Sequence, residues 1–469
     1  MMTIGKLVRL ARQRFSAQHQ LMVAIMGWPL LFYLKQGQGV FQWSLLLQYA
    51  ILVCLFFLAS HQEGWNVLRS GHSKQIWILF WCFVLYVTLI TLVNSPIFLN
   101  GIVGYVKHVQ FVPLLLVCSA IGLRPDLLRR WFIPYVLVLI ILLALPLALS
   151  ATSVSFFSRQ SLYVGPGLYR PGSYVRYKFA FGNPNNLASF LACAMTFCFF
   201  SLTSQFRRAR VAIPVLGILL LGSYLVLMTS SRRVWVILPL VSVLGIALQR
   251  GLKRRAWLLF GIGLLFMLVL YLFRGPIAKR LSNLLLFSDA GFRKTGPLHM
   301  RLILFEWVLG YFEGPIQWLF GLGAGTIGFA VRNYADAGYG TVDGYYAILW
   351  GEYGLIGLLL YLALVLTVLS RLLGVILRRT LAPDHEDIVI ACLVSSLVVL
   401  LAGLLGNSNT TFPLTLYLWA FLGLGLALSL EPETATFVGS ESATATERGT
   451  AMPREPETTT PAESEAVAA

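Results

Sequence analysis

"DGYYAILWGEYGLIGLLLYLALVLTVL" occupies residues 343–369, and between Tyr345 and Ser370 its one charge is Glu352. An apolar run of that kind is longer than the roughly 20 residues a helix needs to cross a hydrocarbon core of about 30 Å. The stretch reads as a membrane span with an acid inside it and a second acid, Asp343, at its entrance. What these groups do depends on the side of the membrane they face.

Hydrophobic residues make up 58% of the 469-residue chain and charged residues 12%, about half the charge of a soluble domain. Apolar runs predict spans near 21–35, 41–60, 76–93, 107–123, 131–150, 185–204, 211–229, 234–248, 256–273, 344–370, 388–405 and 413–430. The expectation is an all-α polytopic membrane protein of about twelve transmembrane helices. The formal net charge of +17 comes with no soluble, aromatic-interleaved basic domain, so nucleic acid is not the expected partner. The six cysteines all fall inside apolar runs, a pattern of small core residues that indicates neither a disulfide frame nor a zinc site. The polar, basic N-terminal segment runs directly into the first span, without the features of a cleavable signal.

Orientation follows from the short loops. The N-terminal segment, "RPDLLRR" at 124–130, "RRAR" at 207–210, "QRGLKRR" at 249–255 and "RLLGVILRR" at 371–379 are basic and alternate along the span count. The positive-inside rule places them, and both termini, in the cytoplasm. Residues 1–430 form the expected transmembrane domain. From 431 to 469 the chain is rich in Glu, Thr, Ala, Ser and Pro, which predicts a disordered cytoplasmic tail. Two long loops, about 151–184 and 274–343, fall on the external face, and "MRLILFEWVLGYF" at 300–312 has the spacing of an amphipathic interfacial helix.

Positive charge should be scarce outside, yet Arg170, Arg176, Lys178, Arg232, Arg233, Arg274, Lys279, Arg280, Arg293, Lys294, Arg301 and Arg332 map there. Guanidinium groups grip phosphate oxygens at two points and stay charged at any working pH, which suits a lipid phosphate or pyrophosphate. Anchoring to acidic headgroups is the alternative, and it applies best to Lys279, Arg280, Arg293 and Lys294. Arg232 differs because "TSSRRVW" is a tight turn between two spans. Asp343 has two readings as well: an N-cap for the span, or a group that accepts a proton from a sugar hydroxyl. Glu352 lies about 13 Å further along a helix, too deep to act on the same atom. It is expected to be buried and hydrogen-bonded, because intramembrane acids need partners. His108 and His299 are the histidines placed outside.

Four stretches resemble the bacterial O-antigen ligase and polymerase superfamily of multispan glycosyltransferases. "RYKFAFGNPNNLASFLA" (176–192) is similar to its arginine followed by a Gly-Asn-Pro-Asn turn, and "TSSRRVWV" (229–236) to its Ser-Arg turn. "MRLILFEWVLGYFEGPIQWLFGLGAG" (300–325) resembles its arginine-bearing loop helix and Gly-x-Gly turn, and "DGYYAILWGEYGLIG" (343–357) its closing motif. Ligases of the family carry a histidine eleven residues before the glycine that matches Gly354; this chain has Asp343 there, which resembles the polymerase side.

The resemblance implies a GT-C-like fold and a metal-independent enzyme without cofactor. It would join polyprenyl-pyrophosphate-linked oligosaccharides into O-antigen or exopolysaccharide at the external face of the bacterial inner membrane. Asp343, Arg232 and Arg301 would be catalytic. Arg176, Lys178, Arg233, Asn183, Asn185, Tyr345 and Tyr346 would bind substrate. Membrane lipids are further partners, and a chain-length regulator is left open. The alternatives are a ligase passing the glycan to lipid A core, and a solute transporter, for which Glu352 is the one intramembrane charge to point to.

Overall fold

The computed structural model describes residues 17–27, 41–69, 73–149, 163–164, 176–178, 181, 183–205, 209–251, 261, 263, 271, 306–327, 344–404, 406 and 413–430. The side chains at 41–49, 63–64, 67, 163–164, 176, 209 and 232 are not among those described. Arg301, Asp343 and His299 therefore lie outside the described residues, as do most of both long loops, most of the 256–273 run and the tail from 431. By its contacts the chain divides into Met1–Ser429 and Leu430–Ala469.

The described part is helical: α1 (17–27), α2 (Phe41–Ser60), α3 (Glu63–Arg69), α4 (Lys74–Asn94), α5 (Phe98–Val109), α6 (Pro113–Ile121), α7 (Pro125–Leu149), α8 (Pro184–Ser201), α9 (Ala209–Thr229), α10 (Arg232–Leu248), α11 (306–310), α12 (Pro315–Phe320), α13 (Tyr345–Arg378), α14 (Pro383–Leu404) and α15 (Leu414–Leu430). Two-residue strands β1 (Tyr163–Val164) and β2 (Arg176–Tyr177) pair antiparallel, with Val164 opposite Arg176. Among the described residues six helices are long and apolar enough to cross a membrane, by length and composition.

Two boundaries differ from the sequence reading. The span expected at 107–123 begins at Phe98, because α5 and α6 run on into each other as one apolar segment, Phe98–Ile121. This puts His108 inside the segment rather than outside the membrane. Residues 371–378, read as a loop, continue α13, which reaches 34 residues. A straight helix of that length would measure about 51 Å, and α13 is broken at Gly354 (φ 68°, ψ −178°).

The core forms around α15, whose residues are all buried. A helix apolar on every face has nowhere to go but the interior of a bundle. Phe421 stacks on Phe197 of α8 with ring centroids 4.3 Å apart, and Trp419 meets Tyr361 of α13 edge-on at 5.9 Å. Gly423 lets the backbone of α15 approach the Leu114 and Leu115 carbonyls of α6. The α14 helix packs mainly on α8 and also touches α10 and α13.

At one end of this bundle α7 and α14 begin and α8, α10 and α13 finish. Arg129 donates to the Ser201 carbonyl (2.9 Å) and the Asp384 carbonyl (2.8 Å), while Ser204 donates its amide to Asp387 (2.7 Å). Buried Glu386 receives both Arg250 and Arg379. Arg129, Arg250 and Arg379 come from three of the basic segments, so part of that charge is matched by acids at the start of α14.

Candidate functional site

The opposite end brings together the starts of α8, α10 and α13 with the finish of α14. At α8, Asn183 is the N-cap: its side-chain oxygen accepts from the Asn185 amide at 2.9 Å, and Pro184 follows at the first helical position. A cap of this kind contributes about 1 kcal/mol to helix stability. The α9–α10 turn is as tight as "TSSRR" implies. Ser230 takes a left-handed conformation (φ 55°), and the Thr229 hydroxyl accepts from the Ser231 amide at 3.3 Å.

Of the two arginines that open α10, Arg233 is buried. It donates to Asn186 Oδ1 (3.3 Å) and to the Ala402 carbonyl (3.3 Å), tying α10 to α8 and α14. Tyr346, at the start of α13, donates its hydroxyl to the Leu400 carbonyl at 3.1 Å, two residues before Ala402. The Tyr345 amide donates to the Gly406 carbonyl at 3.3 Å. The stretches around Asn183, Arg233 and Tyr346 therefore converge although they are scattered along the chain.

β2 lies near this end as well. Tyr177 is fully buried and donates to the Leu143 carbonyl at 2.6 Å, fixing β2 on α7, with Lys178 beside it half-buried. Asn183 is exposed and Asn185 half-buried. Arg176 and Arg232 are placed by their backbones, in β2 and at the first position of α10. Arg301 and Asp343 fall outside the described residues; Asp343 immediately precedes Gly344, the N-cap of α13.

Tyr345 points inward. It is 2% exposed, and its ring centroid lies 5.6 Å from that of His108 on α5. His108 Nε2 is 3.2 Å from Glu352 Oε2, with both side chains almost wholly enclosed, and Tyr353 sits edge-on to the imidazole at 5.3 Å. Lys107, next to His108 on α5, is half-buried. His108 Nδ1 is buried and has no hydrogen-bond partner.

This acid–base pair adjoins the break in α13. Ending a helical segment at Tyr353 orphans its last carbonyls, and three of them find donors elsewhere. The Leu322 amide bonds the Gly351 carbonyl (2.8 Å), the Gly323 amide bonds that of Glu352 (3.0 Å), and the Tyr86 hydroxyl bonds that of Tyr353 (2.9 Å). Leu322 and Gly323 belong to "GLGAG" at 321–325, in which Gly321, Gly323 and Gly325 all have positive φ. A Cβ at Gly321 would strike Gly354, one at Gly323 would strike Asn94, and one at Gly325 would strike Asn100. Irregular backbone at membrane depth persists only where protein covers it, and this glycine loop covers the break.

Sequence reading expected a partner for Glu352 but missed His108. The signal was present in "NGIVGYVKH": Asn100, Gly104 and His108 recur every four residues, which sets them on one helical face. All six cysteines are free thiols, and among the described residues no group of three or more potential ligands could hold a metal. The chain matches no protein-family model and no curated protein.

Proposed function

We propose that this protein is a membrane-embedded polymerase of O-antigen or exopolysaccharide type, acting at the external face of a bacterial inner membrane with both termini in the cytoplasm. The observation that supports it is the Arg233 junction. Arg233 bonds Asn186 and Ala402 while Tyr346 bonds Leu400, so three of the four family-like stretches meet at one end of the bundle. The fourth, with its glycine turn, packs on α13 at Gly354.

In this reading the bond between the anomeric carbon of the growing glycan and its pyrophosphate breaks. A hydroxyl oxygen on the incoming lipid-linked repeat forms the new bond and gives its proton to Asp343. The polyprenyl pyrophosphate departs with the electron pair, and Arg176, Arg232 and Arg301 stabilise its charge. Pyrophosphate is already an activated leaving group, so no nucleotide sugar is needed. A ligase transferring finished glycan to lipid A core would use the same donor chemistry.

A solute carrier is the second reading, favoured by the buried His108–Glu352 pair beside a broken span, since buried ionisable groups and interrupted helices mark ion-coupled pathways. Liposomes separate the two. With the protein reconstituted and a lipid-linked repeat supplied, the polymerase reading expects longer lipid-linked chains without any ion gradient. Proton movement on imposing solute gradients, with no chain growth, would replace it with the carrier reading.

A further inference from the structure

Gly354 separates α13 into an outer segment, Tyr345–Tyr353, and a long inner one. At a break of this kind the backbone no longer fixes the direction of the outer segment, so side-chain and loop contacts must. Tyr346 and the amide of Tyr345 hold its start to α14 and Gly406, and the 321–325 loop and Tyr86 hold its finish. Along its length Glu352 meets His108 on α5.

We infer that His108 and Glu352 are a positioning pair that locks the outer segment of α13 against α5 and so fixes where the residues at its entrance stand. Tyr345 links the pair to the start of α13. Its ring centroid lies 5.6 Å from that of the imidazole and 5.5 Å from that of Tyr346. The path from pair to site is therefore a chain of rings from His108 on α5 through Tyr345 to Tyr346 on α13. Other groups near the pair are Lys107, next to His108 on α5, and the phenols of Tyr345 and Tyr353. A rotated segment would separate the two buried groups, and that cost disfavours other positions of the segment. The inference rests on the polymerase reading only for its activity measurement.

The test uses full-length protein in lipid nanodiscs carrying His108→Gln, Glu352→Gln, or the exchanged pair His108→Glu with Glu352→His. Amide hydrogen exchange is followed across Tyr345–Tyr353 and across 355–378, and kcat and KM are measured for chain growth from a lipid-linked repeat. Each single variant is expected to speed exchange in the outer segment alone, and to lower kcat about tenfold at a KM within about twofold, the signature of a misplaced rather than an unbound substrate. The exchanged pair should restore slow exchange and most of kcat. If exchange responds and is restored while even the unmodified protein extends no chain, the lock stands and the polymerase reading falls. Unaltered exchange in the single variants, or an exchanged pair as impaired as they are, overturns the lock.

Discussion

His108 and Glu352, 244 positions apart in the chain, meet at 3.2 Å inside the helical bundle. Removing one member strands the other in an apolar surround, which for fully buried pairs costs about 3–5 kcal/mol, whereas replacing both by apolar residues is often nearly neutral. Glu352→Leu should thus lower stability more than the double variant His108→Leu/Glu352→Leu. Thermal unfolding in detergent checks the order, and a double variant worse than the single would contradict it.

Gly354 and Gly374 lie on the same helix and should respond oppositely to alanine. Gly354 occupies a backbone region open almost only to glycine, and a Cβ there would collide with the Leu319 carbonyl, so Gly354→Ala should cost more than about 3 kcal/mol. A Cβ at Gly374 would meet nothing within 4 Å beyond its own helix among the described residues. Gly374→Ala should be neutral or stabilise by up to about 1 kcal/mol. Folded yield and melting temperature measured for the two variants side by side provide the comparison.

The Glu386 cluster should act as a staple remote from chemistry. Glu386 is 3% exposed at its side chain and Arg250 and Arg379 are 34% and 32% exposed. Glu386→Gln should cost on the order of 2 kcal/mol, below the fully buried range because water screens both arginines. Melting temperature should fall while kcat per folded molecule holds. A kcat loss without a stability loss would place this end in the reaction.

The neighbouring arginines Arg232 and Arg233 should separate by readout. Arg233→Lys forfeits one of two directed hydrogen bonds, about 1–2 kcal/mol of stability. Arg232→Lys and Arg176→Lys keep the charge but lose the planar two-point grip, and should lower the rate about tenfold or more at normal membrane levels. Unimpaired rates in both would make these residues headgroup anchors.

Much of the helical order was legible because apolar runs announce themselves, and Glu352 was conspicuous as the one charge in a long span. The partner of Glu352 was not, since Asn100, Gly101 and Gly104 dilute the hydropathy of α5 and made Phe98–Val106 look like loop. Those same small residues are where the 321–325 loop seats, a fact of tertiary packing. The break at Gly354 was hidden for a similar reason: a glycine in an apolar run is ordinary until the Leu319 carbonyl is brought against it. That Arg233 turns inward to Asn186 was not legible either. The convergence of Asn186, Arg233 and Tyr346 follows from the bundle and from no local pattern.

Chain growth from a single substrate tests the central claim most directly. Purified protein given one polyprenyl-pyrophosphate-linked repeat, with chelator present and no second acceptor, is expected to produce a ladder of longer lipid-linked glycans. Asp343→Asn keeps the size and capping ability of the side chain but not its proton-accepting strength, and should produce none while remaining folded. An equal ladder from Asp343→Asn would remove Asp343 as the base, and unmodified protein that stays silent until lipid A core is added would contradict the polymerase account in favour of a ligase.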